Sequence, residues 1–275
     1  MICEVLKVSA SGYYTGLDRK STPVSTRRQE LTEAVARSYL DSEKSYGYRK
    51  VWEDLRAWSM TCCPETVRRV MKRLGFCAHY KRRFVVTTDS NHGDAVAENL
   101  LNRDFYADAP DQKWVADITY IPTREGWLYL AAVLDLFSRR IVGWATSERI
   151  DEALVTSALN NAITLRRPGP GLLHHSDRGS QYAADGYQGV LEKMGMVCSM
   201  SRKGNCWDNA VMERFFRSLK TERVYRKLYK TRAEARKDLF MYIEWFYNAG
   251  RRHATLGYQT PNAVETRYRK ASQVA

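Results

Sequence analysis

Along residues 27–42, apolar side chains recur at Leu31, Val35 and Leu40, with Tyr39 beside them, which is the spacing of one buried helix face. YGYRKVWEDLRAW (46–58) and PETVRRVMKRLG (64–75) predict two shorter helices, the second opening on Pro64 and closing at Gly75. The pattern changes at residue 113. KWVADITYIPT (113–123), GWLYLAAVLDL (126–136) and RRIVGWATSE (139–148) are rich in β-branched and aromatic residues, and short polar connections separate them, predicting an antiparallel meander. A helix is expected over 151–165, ended by RPGPG (167–171). LLHHSD (172–177) then reads as a buried strand, 181–194 as a helix and MVCSMS (196–201) as a short strand. Long helices are expected over 208–226 and 232–248, with a final short one starting at Pro261.

Two short helices joined by a tight turn, the second carrying Arg68, Arg69, Lys72 and Arg73, suggest a helix-turn-helix arrangement that brings these cations to DNA. A plain helical bundle with a solvated basic face is the competing reading. The basic run HYKRRFVVTT (79–88) and the polar stretch 89–94 read as a linker, so the expected division is a helical region 1–104 and a second domain 105–270. Three antiparallel strands followed by alternating helices and strands is the element order of an α/β, ribonuclease H-like core: a mixed sheet with flanking helices.

Charge sharpens this picture. The net charge of +13 is unevenly spread: residues 1–103 hold 18 Lys and Arg against 12 Asp and Glu, residues 104–200 hold 9 against 12, and residues 201–275 hold 17 against 7. A locally acidic middle between basic flanks suits an enzyme that gathers carboxylates around a cation while other surfaces hold phosphates. No apolar run reaches the roughly 18 residues that span a membrane, and the start lacks a secretory signal pattern. The six cysteines form no disulfide framework and no CxxC pair. A cytoplasmic protein is expected, associated with the nucleoid when bound to DNA.

Three carboxylates stand where the predicted elements converge: Asp117 inside the first strand, Asp177 at the end of LLHHSD, and Glu213 on the helix from 208. An acid among Trp114, Val115, Ile118, Tyr120 and Ile121 is costly to bury unless it is paired or bound to a cation. Transferring a DNA phosphodiester calls for an activated oxygen nucleophile and neutralised charge on the leaving oxygen, and two hard cations about 4 Å apart supply both when carboxylates bridge them. At about 100° per residue, Glu213, Arg217 and Lys220 gather on one face of their helix, opposite Met212, Phe215, Phe216 and Leu219. Asp135 is a rival carboxylate for which Arg139 and Arg140 offer a salt-bridge role. His174 and His175 are read as packed or phosphate-facing, Asp208 and Asn209 as helix caps or, alternatively, supports beside the metal, and Trp207 with SRKGNC (201–206) as either a loop over DNA or a packed hinge. Arg251 and Arg252, in the basic tail, are candidates for phosphate contacts.

The stretches WVADITYIPTREGWLYLAAVLDLFSRRIVGW (114–144), HHSDRGSQY (174–182), SMSRKGNCWDNAVMERFFRSLKTE (199–222) and YIEWFYNAGRRHATLGYQTPNAVE (242–265) closely resemble the downstream-frame catalytic subunit of bacterial insertion-sequence transposases, relatives of retroviral integrases. That family's signature is Asp, Asp, thirty-five residues, Glu, and thirty-five residues lie between Asp177 and Glu213, with Asp117 in the matching DITYI context. Lys220, seven residues after the Glu, stands where the family carries a basic DNA-contacting residue. The resemblance implies an enzyme dependent on two Mg²⁺ or Mn²⁺ ions, held by Asp117, Asp177 and Glu213, that cleaves double-stranded DNA at the element's terminal repeats and transfers the freed 3′-hydroxyl to target DNA. It implies a homo-oligomer on DNA, and an upstream-frame DNA-binding protein or fusion as partner. SASGYYTGL (9–17) and YGYRKV (46–51) resemble the region preceding that core. The competing functions are a catalytically silent DNA-binding regulator and a ribonuclease H-type nuclease.

Overall fold

The computed structural model describes Ser9, Ser11 and residues 23–78, 97–202 and 206–274. The basic run 79–88, the linker 89–94, most of SASGYYTGL and residues 203–205 lie outside them. The chain divides into two compact units, Met1–Ala78 and His79–Ala275.

In the first unit the described helices are α1 (Pro23–Asp41), α2 (Tyr48–Ala57) and α3 (Pro64–Arg73). Val35 and Tyr39, four apart on α1, are buried with Val51 and Leu55 of α2 and Val67, Val70 and Met71 of α3. Leu40, grouped with them by sequence, falls about 100° round the helix from Tyr39 and stands 55% exposed. The connection from α2 to α3 is pinned by the Trp52 indole N–H, which donates to the Cys62 carbonyl at 2.7 Å. Pro64 starts α3, where its missing N–H costs no hydrogen bond.

The second unit runs β1 (Lys113–Thr123), β2 (Gly126–Asp135), β3 (Ile141–Ser147), α4 (Glu152–Arg166), β4 (Leu173–Ser176), α5 (Ser180–Ala183), α6 (Asp185–Lys193), β5 (Val197–Met200), α7 (Ala210–Glu222), α8 (Arg232–Phe240) and α9 (Pro261–Val274). The sheet order is β3-β2-β1-β4-β5, with β1, β2 and β3 antiparallel and β4 and β5 parallel to β1. This is the ribonuclease H-like arrangement, and the helical first unit precedes it. Among the described residues, no helix is long and apolar enough to cross a membrane.

The strand period of two sorts side chains onto two cores. Val115 and Ile121 of β1, with Leu128, Leu130 and Leu134 of β2, meet Met212, Phe215 and Leu219 of α7 and Leu239 of α8. Trp114 and Ala116, with Ala131 and Val133, meet α4, Tyr182 and Tyr187 on the other face. β3 comes so close to α4 that a Cβ on Gly143 would collide with the Ala158 carbonyl and the Ala162 backbone nitrogen.

Several elements depart from the sequence reading for identifiable reasons. The helix expected over 181–194 is broken at Ala184, whose extended backbone (φ −60°, ψ 140°) separates α5 from α6. The helix expected to 226 ends at Glu222, where Arg223 leaves helical geometry. α8 continues as wider π-type turns over Met241–Gly250, which keeps Tyr242, Ile243 and Tyr247 on the core side. Residues 97–104, placed with the first region by sequence, pack in the second unit: Leu101 is buried, and the N–H groups of Leu100 and Leu101 donate to Ser199 Oγ at 2.9 and 3.1 Å.

α9 is held by charge. Its Glu265 is nearly buried and accepts from Arg166 at 2.6 Å, Arg140 at 3.1 Å and Ser138 at 2.9 Å, while Arg166 also clasps Asp111. Removing one partner from such a set strands a charge away from water. Arg166→Ala is therefore expected to lower stability by about 3–5 kcal/mol, read from urea denaturation of the full chain, with the loss concentrated in the second unit.

Candidate active site

The sheet itself brings the two aspartates together. Val115 of β1 pairs with His175 of β4 in parallel register, on strands about 4.8 Å apart; Asp117 follows two residues on in β1 and Asp177 two residues on, just past the end of β4, and the charge of Asp177 acts on Asp117. Alternation puts Asp117 on the face of Val115 and Ile121, the face that α7 covers. Asp177 sits just past the end of β4, and its Oδ1 accepts the Gly179 N–H at 2.9 Å. Glu213 lies in the first turn of α7, where the helix N-terminus favours a negative charge.

The three groups feel one another. Burial pushes the Asp117 carboxyl well above the ordinary carboxylate range; the charge of Asp177 and then that of Glu213 push it further, against the Ile118 N–H at 2.7 Å and the Lys220 ammonium. Glu213 is also raised, by burial, with Arg217 acting against the rise. Lys220 is half-buried: its Nζ lies 4.1 Å from the centre of the Tyr120 ring, and burial lowers its pKa while Asp117 opposes the fall. Asp117, Asp177, Glu213 and Lys220 thus form one electrostatic neighbourhood, with Arg217 exposed at its edge.

Among the described residues, no three His, Cys, Asp or Glu side chains are drawn into a ready-made cation cage. The donor chemistry nevertheless fits a hard divalent ion: the groups are oxygen donors only, and they carry a repulsion that a bound cation would relieve.

Sequence reading made Asn209 a cap of the Glu213 helix or a support beside the metal. It occupies the cap position of α7 without a side-chain cap bond, and its Nδ2 donates instead to the carbonyl of Ala116, the residue before Asp117, at 3.0 Å. This buried bond ties the start of the Glu213 helix to the Asp117 strand. Its spacing to Glu213 gave no signal, because the partner lies 93 residues away. Asp208 likewise does not cap; Arg202, Arg103 and Asn99 hold it, and the arginine pairing keeps its carboxyl far below the usual range. Asp135 is fully buried and takes N–H groups from Asp111 and Ser138 and the Ser138 hydroxyl, while Arg140 reaches Glu265 rather than Asp135.

The histidines beside Asp177 are packed. His175 bridges Ser199 and Ser201 at 2.9 and 3.1 Å and burial lowers its pKa to about 4; His174 meets the Tyr187 hydroxyl at 3.1 Å, with its pKa pushed down to about 3. Both rings are neutral near pH 7. Trp207 is 67% exposed, not packed as a hinge.

The expected DNA-facing cations divide. Arg251 is turned inward, where Glu222 binds it at 2.7 Å through a multiply bonded pair, and Arg252 donates to the Tyr258 carbonyl of its own loop. Arg68 and Arg69 on α3 share Glu65, at 2.7 and 3.3 Å, and the Arg68 pairing lowers the Glu65 pKa to about 2. Lys72 and Arg73 are exposed.

Comparison with known proteins follows the two units. The HTH-like domain family matches residues 26–84, and two integrase core domain families match residues 107–206 and 194–261. The Insertion element IS600 uncharacterized 31 kDa protein of Shigella sonnei is 41% identical over 267 residues, covering 97% of this chain and 98% of that protein. Transposase InsF for insertion sequence IS3A of Escherichia coli is 40% identical over 269 residues, covering 97% of this chain and 93% of its own. A chain of the simian T-cell lymphotropic virus intasome aligns over 83% of this chain and 73% of its own at 16% identity, with a TM-score of 0.48.

The raised Asp117 has a consequence for stability. The folded protein holds this proton more tightly than the unfolded chain does, so below about pH 4 both states are protonated and no penalty arises. As pH rises through the folded-state value the penalty grows to its full size. In the presence of a chelator, Asp117→Asn is therefore expected to raise the thermal midpoint at pH 8 and to raise it less at pH 5. Calorimetry at the two pH values checks this; a gain independent of pH would place the cause elsewhere.

Proposed function

The chain belongs to the bacterial insertion-sequence transposases with an integrase core domain, and from that premise we propose that Asp117, Asp177 and Glu213 are its catalytic carboxylates. The protein is a DNA transposase, a polynucleotidyl transferase. The observation that carries the assignment is the joint placement of the three acids: Asp117 in β1, Asp177 just past the end of the neighbouring parallel strand β4, and Glu213 on α7, with the charges of the last two acting on Asp117.

In this reading Asp117, Asp177 and Glu213 hold two Mg²⁺ or Mn²⁺ ions, which when bound supply an activated oxygen nucleophile and neutralise charge on the leaving oxygen. The oxygen of water attacks the phosphorus at the element end, the bond from phosphorus to the 3′-oxygen breaks, and the strand is left with a 3′-hydroxyl. That hydroxyl then attacks a phosphorus of target DNA, and the target's own 3′-oxygen leaves. Lys220, steadied on Tyr120, and Arg217 grip the flanking phosphates, so positive charge stands beside the reacting group without coordinating the acids away from their task. Burial lowers the Lys220 pKa, and the charge of Asp117 acts against that fall. His174 and His175, neutral and bonded to neighbours, shape the β4 side of the site and carry no proton in the reaction.

Cleavage and joining at two element ends assigns a homo-oligomer on DNA, and the upstream-frame DNA-binding protein or a fusion with it is the expected partner. Lys72 and Arg73 of the HTH-like unit, with the Glu65-linked Arg68 and Arg69, are assigned to DNA contacts there.

The test is a strand-cleavage and joining assay on labelled duplex carrying the element's terminal repeat, with the chain alone and fused to its upstream frame. Asp117→Asn, Asp177→Asn and Glu213→Gln are each expected to lower the rate by roughly 10²–10³-fold or more, with folding retained and with no activity in chelator. A variant of any of the three that cleaves at the normal rate would remove that residue from the assignment.

A further inference from the structure

The first unit holds a feature that reaches beyond the helix expected to read DNA. Between α1 and α3 lies an open groove of about 370 Å³, walled by Val24, Leu31 and Val70 and by four arginines, Arg27 and Arg28 from α1 and Arg69 and Arg73 from α3. Two of these cations have neutral partners: Arg27 donates to the Thr61 carbonyl at 3.1 Å and Arg73 to the Thr32 hydroxyl at 2.9 Å. Such bonds orient a guanidinium without cancelling its charge. Arg69 shares Glu65 with Arg68, and Glu65 lies outside the groove wall. All four arginines are exposed.

We propose that this groove grips the phosphate backbone of duplex DNA, with Arg27 and Arg28 adding contacts to those of Arg69 and Arg73. The proposal rests on the reading that the HTH-like unit binds DNA, and it extends the contact surface from α3 to a helix that the helix-turn-helix pair does not include. Three observations favour DNA as the occupant. The cations come in two rows, on two helices, which suits a charged strand passing between them. One wall is α3 itself, so the groove is continuous with the expected DNA-reading surface. The apolar patch of Val24, Leu31 and Val70 suits the sugar edge of the backbone, whereas the arginines supply charge and bidentate donors to its phosphates. Contacts of this kind fix position and are blind to sequence.

The experiment is equilibrium binding of the full chain, in chelator, to a fluorescent duplex of mixed sequence over a series of salt concentrations. Each phosphate contact contributes about 0.9 to the slope of log K against log salt. Arg27→Ala with Arg28→Ala is expected to reduce that slope by about 2 and to raise Kd roughly tenfold at moderate salt. The slope counts contacts over the whole protein, so binding by the second unit does not hide the loss. Lysines at both positions should restore the slope. Arg37→Ala, on the same helix but with its guanidinium over the Trp58 ring and paired with Asp41, should leave slope and affinity unchanged. If the double alanine variant binds with the normal slope and affinity, the proposal is overturned, and an acidic protein segment becomes the better candidate for the groove. Because no cleavage occurs in chelator, this result is independent of whether Asp117, Asp177 and Glu213 are catalytic.

Discussion

The structure is organised around a repulsion that it does not relieve. Asp117 stands in the central strand of the sheet, beside Asp177 and under Glu213, and burial and both neighbouring charges work against its ionisation. Folding contributes only a few partial offsets: one backbone N–H from Ile118 and the attraction of Lys220. A protein of modest net stability tolerates such a cost only where the surroundings force the geometry. Here they do. Two apolar cores clamp the sheet from both faces, β3 meets α4 at a glycine that leaves no room for a methyl group, and α7 is set down on β1 by Met212, Phe215 and Leu219.

Several charges elsewhere are, by contrast, paired within the protein. Arg166 and Glu265 seat the last helix, Arg251 and Glu222 tie the loop after the π-type turns to the end of α7, and Asp208 is closed off by Arg103 and Arg202. Each of these acids has an arginine against it, whereas Asp117 has two further acids acting on it. Burial alone does not mark the candidate site, since Asp135 is the more buried residue; burial raises its pKa as well, and three hydrogen bonds work against that rise.

Much of this was legible in the sequence because it is local or periodic. Runs of β-branched and aromatic residues with short connections in 113–148 marked the meander, the acid inside DITYI marked Asp117, and the helical spacing of Glu213, Arg217 and Lys220 marked a shared face. The remainder depends on partners far apart in the chain. Arg251 reads as a tail cation until Glu222, 29 residues earlier, is seen to bind it; Asn209 reads as a cap until its amide is seen to reach Ala116. The inward turn of Arg251 and the break at Ala184 leave no trace in composition or periodicity, because tertiary packing decides them. The pairing of Arg68 and Arg69 with Glu65 was local enough to find, at three and four residues along one helix.

The covering of the sheet by α7 and α8 also sets an order of events during synthesis. The strand carrying Asp117 and the loop carrying Asp177 are made early, but one face of their sheet stays bare until residues 212–247 have emerged, because those residues supply half of the core on that side. The helical first unit, Met1–Ala78, comes earlier in the chain. A chain cut before residue 212 would thus hold the strand of Asp117 without the side chains of α7 and α8 that cover that face of its sheet.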